Sequence, residues 1–164
     1  NEMYEGDEND FRLAYWFSDM VDPDNNSYTH MIKYMDVDDL DTKTEISKGY
    51  TYIMPVFRVS EVYLIAAECC PDPKVGRDYL NAVRSVRNVK NVADEVDLTT
   101  VIEQEFRREF LGEGQLFWLY KRKGKAEIIS GETQGKVVSM EERFYLFDLP
   151  QSERDYREEN GIGN

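Results

Sequence analysis

Between Pro55 and Gly124, apolar side chains recur at every third or fourth position, and Pro or Gly residues interrupt this pattern at intervals. The spacing places the apolar side chains on one face of an α-helix, while Pro and Gly mark the ends of helices. Residues 71–73 form a short turn between the first two predicted helices, so we expect an antiparallel hairpin. The pattern predicts a mainly α fold of tetratricopeptide-like helix hairpins with irregular loops and a few short strands.

The side chains expected to face the core form one stripe on each helix of the hairpin. The first helix begins at Pro55, and its stripe consists of Val56, Val59, Tyr63, Ala66, Ala67 and Cys70. The second helix extends from about residue 74 to residue 89, and its stripe consists of Val75, Tyr79, Leu80, Val83 and Val86. The adjacent Cys69 and Cys70 would form only a strained disulfide, so we expect them to be small core residues.

Two further helices are predicted after the hairpin. Thr100 and Glu103 match a capping box, in which Thr100 caps a third helix that buries Ile102, Phe106 and Phe110. The outer face of this helix carries two pairs at ion-pair spacing, Glu103 with Arg107 and Glu105 with Arg108. The fourth helix covers residues 116–123, and we expect its Trp118 to lie in the core.

The chain has 164 residues, enough for one domain with a hydrophobic core. Composition divides it into a loop-rich excursion at residues 1–53, a helix stack at 54–124 and an irregular tail at 125–164. No flexible linker separates these parts, so we predict a single domain over residues 1–164.

Short elements are expected on both sides of the helix stack. Asp and Asn residues cluster around a Pro at residues 22–27, which predicts a turn, and residues 50–53 have the character of a short strand. In the tail, residues 143–148 have the pattern of a strand. Residues 152–159 predict a last, acidic helical turn.

The acidic charge of the chain excludes several classes of partner. The formal net charge is −13, which repels nucleic-acid phosphates and argues against a basic patch for anionic lipid. The sequence has no run of 18 apolar residues, so a transmembrane helix is not expected. Neutral sugars or a protein partner are compatible with this charge.

Catalytic, metal and cofactor sites are not indicated. The chain contains one histidine, His30, which we expect at the surface, so a Ser-His-Asp triad is not credible. Asp22, Asp24 and Asn26 alternate as in a calcium loop, but the expected Gly and the final Glu are missing. No metal spacing and no Gly-rich phosphate loop is present. We therefore predict neither an enzyme nor a bound cofactor.

Four segments, taken in order, form a pattern that is typical of one protein family. Residues 54–68 read MPVFRVSEVYLIAAE, and residues 80–84 read LNAVR. Residues 102–122 read IEQEFRREFLGEGQLFWLYKR, and residues 149–153 read LPQSE. Together they resemble the SusD/RagB family of outer-membrane nutrient-binding proteins, whose Glu-Arg-x-x-Glu-Phe-x-x-Glu-Gly pattern is similar to residues 102–122. Departures from the family pattern are Ser60 in place of Ala, Phe106 in place of Arg, and Trp118 where Asp is common. Two shorter segments are similar to the same family with less specificity, namely Asp10-Phe11-Arg12 and Lys33-Tyr34.

The resemblance implies a function without catalysis. Proteins of this kind capture glycans or other nutrients at the surface of a Bacteroidetes-type outer membrane, for polysaccharide utilisation. They hand the ligand to a SusC-like TonB-dependent transporter, over which they act as a lid. The resemblance also implies a lipoprotein, anchored through a cysteine upstream of this chain. The chain would then be the C-terminal portion of such a protein.

The resemblance separates structural residues from candidate ligand residues. Bidentate Arg–carboxylate pairs fix the register of packed helices, so we expect a structural role for the charged motif residues. These are Arg58, Glu61, Glu68, Arg84, Arg87, Glu105, Arg108, Glu109 and Glu113. The family holds sugars with aromatic faces and with hydrogen bonds from loops, and the candidates for such contacts here are Tyr15, Trp16, Tyr28 and Tyr34.

Two alternatives differ in class from nutrient capture. Paired carboxylates near a sugar suggest glycoside hydrolysis, but Arg107 and Arg108 would lower the pKa of nearby carboxyl groups, whereas a general acid needs a raised pKa. The other alternative is a soluble helical-repeat scaffold that binds peptides. A signal peptide ending in a lipidated cysteine in the upstream sequence would favour nutrient capture over this scaffold.

Overall fold

A computed structural model of the protein describes residues 2–4, 6–34, 56–130 and 136–162. Helices dominate these residues and the strands are short, which confirms the predicted mainly α fold. The chain divides into two compact units, Asn1–Gly112 and Glu113–Asn164. The assignment of the whole chain to one domain stays a prediction, and the strand expected at residues 50–53 lies outside the described residues.

The first unit begins with a single 3₁₀ turn, Glu2–Tyr4, and a short helix, α1, at Phe11–Trp16. Asp10 caps α1, because its carboxylate accepts a hydrogen bond of 2.8 Å from the backbone N–H of Arg12. Strands β1, Phe17–Val21, and β2, Ser27–Met31, then form an antiparallel hairpin. The turn between them is the predicted one, and the Asp22 carboxylate closes it by accepting from the backbone N–H of Asn26 at 2.8 Å.

The central hairpin consists of α2, Val59–Cys69, and α3, Pro73–Val86, joined by three residues. Asp72 caps α3 by accepting from the backbone N–H of Lys74 at 2.9 Å, and Pro stands at the first helical position. The predicted start of the first helix at Pro55 was wrong, because the backbone of Arg58 is still extended. The helix begins at Val59.

The buried faces of this hairpin match the predicted stripes only in part, since Ala67, Leu80 and Val83 are buried as predicted. α2 buries Leu64 and Ala67, and the apolar residues that α3 buries are Leu80 and Val83. The other predicted stripe residues of large size are exposed by 38% or more, and they are Val56, Val59, Tyr63, Val75, Tyr79 and Val86. Cys69 is exposed and Cys70 half-buried, both as free thiols, so their assignment to the core was also wrong. A stripe shifted by one residue rotates by about 100° around the helix, which turns a buried face toward solvent.

Close approach of the two helices depends on a glycine. A Cβ atom at Gly76 would lie 2.9 Å from the carbonyl oxygen of Ala67, a backbone atom on the other helix. Only a residue without a side chain allows this backbone contact.

Helix α4, Leu98–Glu109, completes the packing of the first unit against the hairpin. Ile102, Phe106 and Phe110 are buried as predicted. The capping-box prediction was wrong, because the N-cap is Asp97, whose carboxylate accepts from the backbone N–H of Thr100 at 3.3 Å. The helix therefore begins at Leu98, and its N-cap lies three residues before the predicted cap, Thr100.

The second unit begins with α5, Gln115–Lys123, which ends at Gly124 in the left-handed conformation, as predicted. Strands β3, Glu127–Ile129, and β4, Val137–Ser139, pair in antiparallel fashion, and α6, Gln151–Glu159, matches the predicted last helix. The strand expected at residues 143–148 was wrong, because Glu142–Tyr145 is a 3₁₀ helix. Trp118 is 53% exposed, so its assignment to the core was wrong as well.

Within the described residues, no helix has both the length and the apolar character needed to cross a bilayer. In that same part of the chain, no three His, Cys, Asp or Glu side chains come together in a way that could hold a metal ion.

Candidate functional site

Helix α4 directs two carboxylates into the protein. Glu105 and Glu109 are four residues apart, so they lie on one face of the helix, and neither has any exposed surface. The outer-face prediction for Glu105 and Arg108 was therefore wrong, since both are buried. A buried charge is stable only when it is paired and hydrogen-bonded, so the partners of these carboxylates decide how α4 is placed.

The carboxylate of Glu109 contacts three guanidinium groups from three other parts of the chain. The Nη2 atom of Arg87 donates to one oxygen at 2.6 Å and its Nε atom to the other at 3.0 Å, in a bidentate pair. Nη1 of Arg12 lies 3.0 Å from the second oxygen, and Nη1 of Arg58 lies 3.2 Å from the first. One side chain of α4 thus connects to α1, to the residue that follows α3 and to the residue that precedes α2.

Glu105 and two aspartates extend this arrangement. The Nη2 atom of Arg12 donates to Glu105 at 2.6 Å, and Nη1 of Arg84 donates to it at 2.9 Å. Arg12 also donates to Asp10 at 2.7 Å, and Arg108 donates to Asp7 at 2.6 Å. Together these side chains form what we term the buried ion network, which consists of Asp7, Asp10, Arg12, Arg58, Arg84, Arg87, Glu105, Arg108 and Glu109.

The environment of Glu109 keeps its carboxylate ionised. Burial by itself would raise the pKa of Glu109, but the hydrogen bond and charge of Arg87, with the charges of Arg58 and Arg12, outweigh burial and lower the pKa to about 2. The hydrogen bond that Arg87 donates to Glu109 in turn raises the pKa of Arg87. A carboxylate of this kind cannot donate a proton near neutral pH, so Glu109 is unsuited to general acid catalysis.

Most of the charged motif residues predicted from the sequence lie in the buried ion network. Glu61 and Glu68 instead lie half-buried on α2, and Glu113 lies in the second unit. The network members that sequence reasoning missed are Asp7, Asp10 and Arg12, although the Asp10-Phe11-Arg12 segment and the preference for Asp at a helix start pointed to two of them. The structural role of the motif residues stays a proposal.

The network also fixes the helix that carries two of the predicted ligand residues. The side chain of Arg12 is 1% exposed and bonds to three carboxylates, so α1 is held against α4. Tyr15 and Trp16 follow Arg12 by three and four residues, about one helical turn. Their positions are therefore set by a buried contact at the other end of the same short helix.

Lys33 brings two of the predicted ligand residues together. Its Nζ atom donates to the backbone carbonyls of Glu109 and Leu111, at 3.2 and 3.1 Å, where α4 ends. The same atom lies 3.7 Å from the ring centroid of Trp16 and 5.3 Å from that of Tyr34. Trp16 and Tyr34 thus belong to one cluster, centred on a lysine that the sequence analysis noted only beside Tyr34.

The other two predicted ligand residues pack in separate aromatic pairs. Tyr15 is 71% exposed and contacts Phe11 edge to face at 6.1 Å between ring centroids. Tyr28 is 46% exposed on β2 and contacts His30 in the same way at 6.1 Å. His30 is half-buried, so the expectation of a plain surface residue is only partly met.

Comparison with known proteins gives one match. The family model described as the SusD family matches residues 3–158 of this chain. No match was found among curated proteins or among solved structures. The match includes every residue of the buried ion network and all four predicted ligand residues.

Proposed function

Because the chain belongs to the SusD family, we propose that it takes part in capturing a glycan for a TonB-dependent transporter and catalyses no reaction. Proteins of this family bind nutrients, so the proposal concerns the class of ligand, the partner and the residues that make contact. The single observation that carries it in this chain is the aromatic cluster of Trp16, Lys33 and Tyr34, held in place by the buried ion network.

The aromatic cluster has the chemistry that sugar recognition needs. An aromatic ring offers a flat apolar face to the C–H groups of a pyranose, while nearby polar groups orient the hydroxyls. Tyr34 is 42% exposed, and Lys33 is anchored by two backbone carbonyls. Tyr15 adds an exposed ring on α1, and Tyr28 adds another on β2. A site built on anchored side chains loses little conformational entropy when it binds.

The buried ion network supports binding without taking part in chemistry. The carboxylates of Asp10, Glu105 and Glu109 have no exposed surface and are paired with guanidinium groups, so a substrate cannot reach them. We propose that the network, with the other charged motif residues, holds α1, α2, α3 and α4 in register. Recognition then falls to the aromatic residues outside it.

The location and partner follow from the same proposal. We place the protein on the outer face of the outer membrane, attached through a lipid anchor outside this chain and seated on a SusC-like transporter. Co-purification of the full protein with such a transporter from solubilised membranes would support this part. Recovery of the protein without any transporter would contradict it.

The first experiment tests ligand class and site together. The full protein is run through gels that contain different polysaccharides, and a polysaccharide that retards it is then titrated calorimetrically. We expect Trp16→Ala and Tyr34→Ala to weaken binding about tenfold each, which corresponds to about 1.4 kcal/mol. Phe57→Ala is the matched control, because Phe57 is an aromatic residue that is 88% exposed and lies outside the cluster.

Two outcomes would contradict the proposal in different ways. If no polysaccharide retards the protein, glycan capture is wrong. If a polysaccharide binds but neither variant changes its Kd, the function stands and the site is wrong. Incubation of the bound polysaccharide should release no new reducing ends, and their appearance would show catalysis.

A groove between α2 and α3 favours the peptide-binding scaffold as a second candidate function. The groove has a volume of about 590 Å³, and its lining consists of Arg58, Val59, Ser60, Tyr63, Ala82, Val83, Ser85, Val86 and Arg87. Exposed apolar side chains such as Val59 and Val86 are the usual lining of a site for an amphipathic peptide helix. An upstream sequence without a lipidated cysteine, together with peptide capture by this groove, would favour this function.

A further inference from the structure

The second unit carries an aromatic surface that glycan capture through Trp16 and Tyr34 does not use. Trp118 on α5 is 53% exposed and Phe147 is 69% exposed, and their ring centroids lie 5.9 Å apart. Phe117 contacts both rings at 5.3 Å, and Phe117 in turn packs against the buried Tyr145. We call Trp118 and Phe147 the aromatic platform. Its rings come from two segments that packing holds together, so its shape is fixed before a ligand arrives.

A cation stands beside this platform. Lys121 follows Trp118 by three residues on α5, and its Nζ atom lies 5.7 Å from the Trp118 ring centroid and 5.6 Å from that of Phe147. Within the part of the chain that the structure describes, Lys121 has no carboxylate at ion-pair distance. Its contacts are with the two rings, which leaves the ammonium group able to pair with an external anion.

The stretch of sequence around Lys121 is basic, although the chain as a whole is acidic. Residues 114–126 contain no Asp or Glu and include Lys121, Arg122, Lys123 and Lys125, whereas the whole chain carries −13. Basic residues in the last turn of a helix are favoured by the helix dipole, which accounts for part of this pattern. The dipole does not account for the exposed Trp118 and Phe147 beside Lys121.

We propose that the aromatic platform and Lys121 bind acidic sugar units of a polysaccharide. A pyranose ring would stack on Trp118, and its carboxylate would pair with the Lys121 ammonium group. The adjacent rings exclude water from one side of that ion pair, which strengthens it relative to a pair in open solvent. This inference rests on the proposed function, because it names the class of glycan and a second contact surface for it.

A lipid surface is the main competing ligand. Exposed Trp, Phe and Lys side chains also suit the interface of a bilayer. The platform is not a stripe along one long amphipathic helix, which is the usual form of a bilayer-interface site, so the observations favour a sugar. The vesicle measurement below decides between the two.

The experiment uses the full protein and three uronate polysaccharides, namely polygalacturonate, alginate and hyaluronate, beside neutral ones. We expect at least one uronate polymer to bind, and to bind more weakly as salt rises or after its carboxylates are methyl-esterified. Lys121→Gln should raise Kd about tenfold for the free acid and leave the ester unchanged, while Lys121→Arg retains binding. Trp118→Ala should weaken both forms.

Tyr156→Ala is the matched control, since Tyr156 is 55% exposed in the same unit and lies outside the platform. Unchanged thermal midpoints for all variants confirm that they remain folded. Binding of neutral polysaccharides alone would overturn this inference and leave the proposed function standing, whereas no binding of any polysaccharide would overturn both. Unchanged affinity in Trp118→Ala and Lys121→Gln would also overturn the inference. Binding to phosphatidylcholine and phosphatidylglycerol vesicles would also overturn the inference, if Trp118→Ala abolished that binding and left the affinity for glycan unchanged.

Discussion

Glu105 and Glu109 each connect several segments of the first unit, because each carboxylate pairs with more than one guanidinium group. Glu109 pairs with the guanidinium groups of Arg87 at 2.6 Å, Arg12 at 3.0 Å and Arg58 at 3.2 Å. Replacing such a pair with apolar residues of similar shape can be neutral, but removing one partner leaves buried charges without compensation. The contribution of the network to stability is therefore measured by removing one partner, which leaves the remaining buried charges unpaired.

The first prediction concerns Glu109→Ala. This change leaves Arg12, Arg58 and Arg87 close together without the anion they share, so we expect the free energy of unfolding to fall by about 3–5 kcal/mol. Urea denaturation followed by circular dichroism measures this loss. Glu95→Ala removes an exposed carboxylate in the same unit and should change stability by less than about 0.5 kcal/mol. Equal midpoints for the two variants would rule out a structural role for Glu109.

The sequence indicated some members of the network and not others, for a physical reason. Arg84, Glu105 and Glu109 lie on helices with clear periodicity, so their types and spacing suggested pairing between helices. Arg12 belongs to a helix of six residues and lies 97 residues from Glu109, so no local pattern connects them. The Lys33 contact with Trp16 depends on the end of α4 and was likewise invisible to periodicity.

At the scale of elements, helix positions were easier to predict than helix faces. The ends of α5 at Gly124 and of α6 follow from local chemistry, and both agree with the structure. The predicted stripes on α2 and α3 were only partly correct, because both helices carry apolar residues on more than one side. Which side is buried depends on the neighbouring helix, here through the contact at Gly76, and this information is not local.

The second prediction tests the start of α4. Asp97→Ala removes the side-chain acceptor for the backbone N–H of Thr100 and should lower the thermal midpoint. Thr100→Ala is the matched comparison, because a capping box would require Thr100 at that position, and here we expect a smaller loss. Thermal unfolding of both variants distinguishes the two starts. A larger loss for Thr100→Ala would restore the capping box that the sequence suggested.

At the scale of the whole molecule, the buried ion network makes stability depend on pH. The pKa of Glu109 is lowered from 4.5 to about 2 in the folded protein. The unfolded chain therefore takes up the proton first as pH falls, which favours unfolding. The contribution of this group is fully present above pH 4.5 and is lost between pH 4.5 and about 2. Its size is on the order of 3 kcal/mol, from about 1.4 kcal/mol per pKa unit.

The third prediction follows from this linkage. We expect the urea midpoint of the protein to fall steeply below pH 4.5, and the Glu109→Gln variant to show a shallower fall over the same window. The measurement is a series of urea titrations from about pH 6 to about pH 2. A wild-type midpoint that stays constant through this window, or an identical slope for Glu109→Gln, would show that Glu109 does not carry the pH dependence.

The separation of Arg12 and Glu109 along the chain has a consequence for synthesis. The hairpin of α2 and α3 uses neighbouring residues only and can form early in a nascent chain, because local contacts need little loop closure. Arg12 emerges from the ribosome almost a hundred residues before Glu105 and Glu109. Until those residues are made, Asp10 is the only one of its three carboxylate partners that is present, and α1 can dock only after α4 has been made. A chain that ends before Glu109 would keep the hairpin of α2 and α3. It would lack one of the carboxylates that hold α1 against α4.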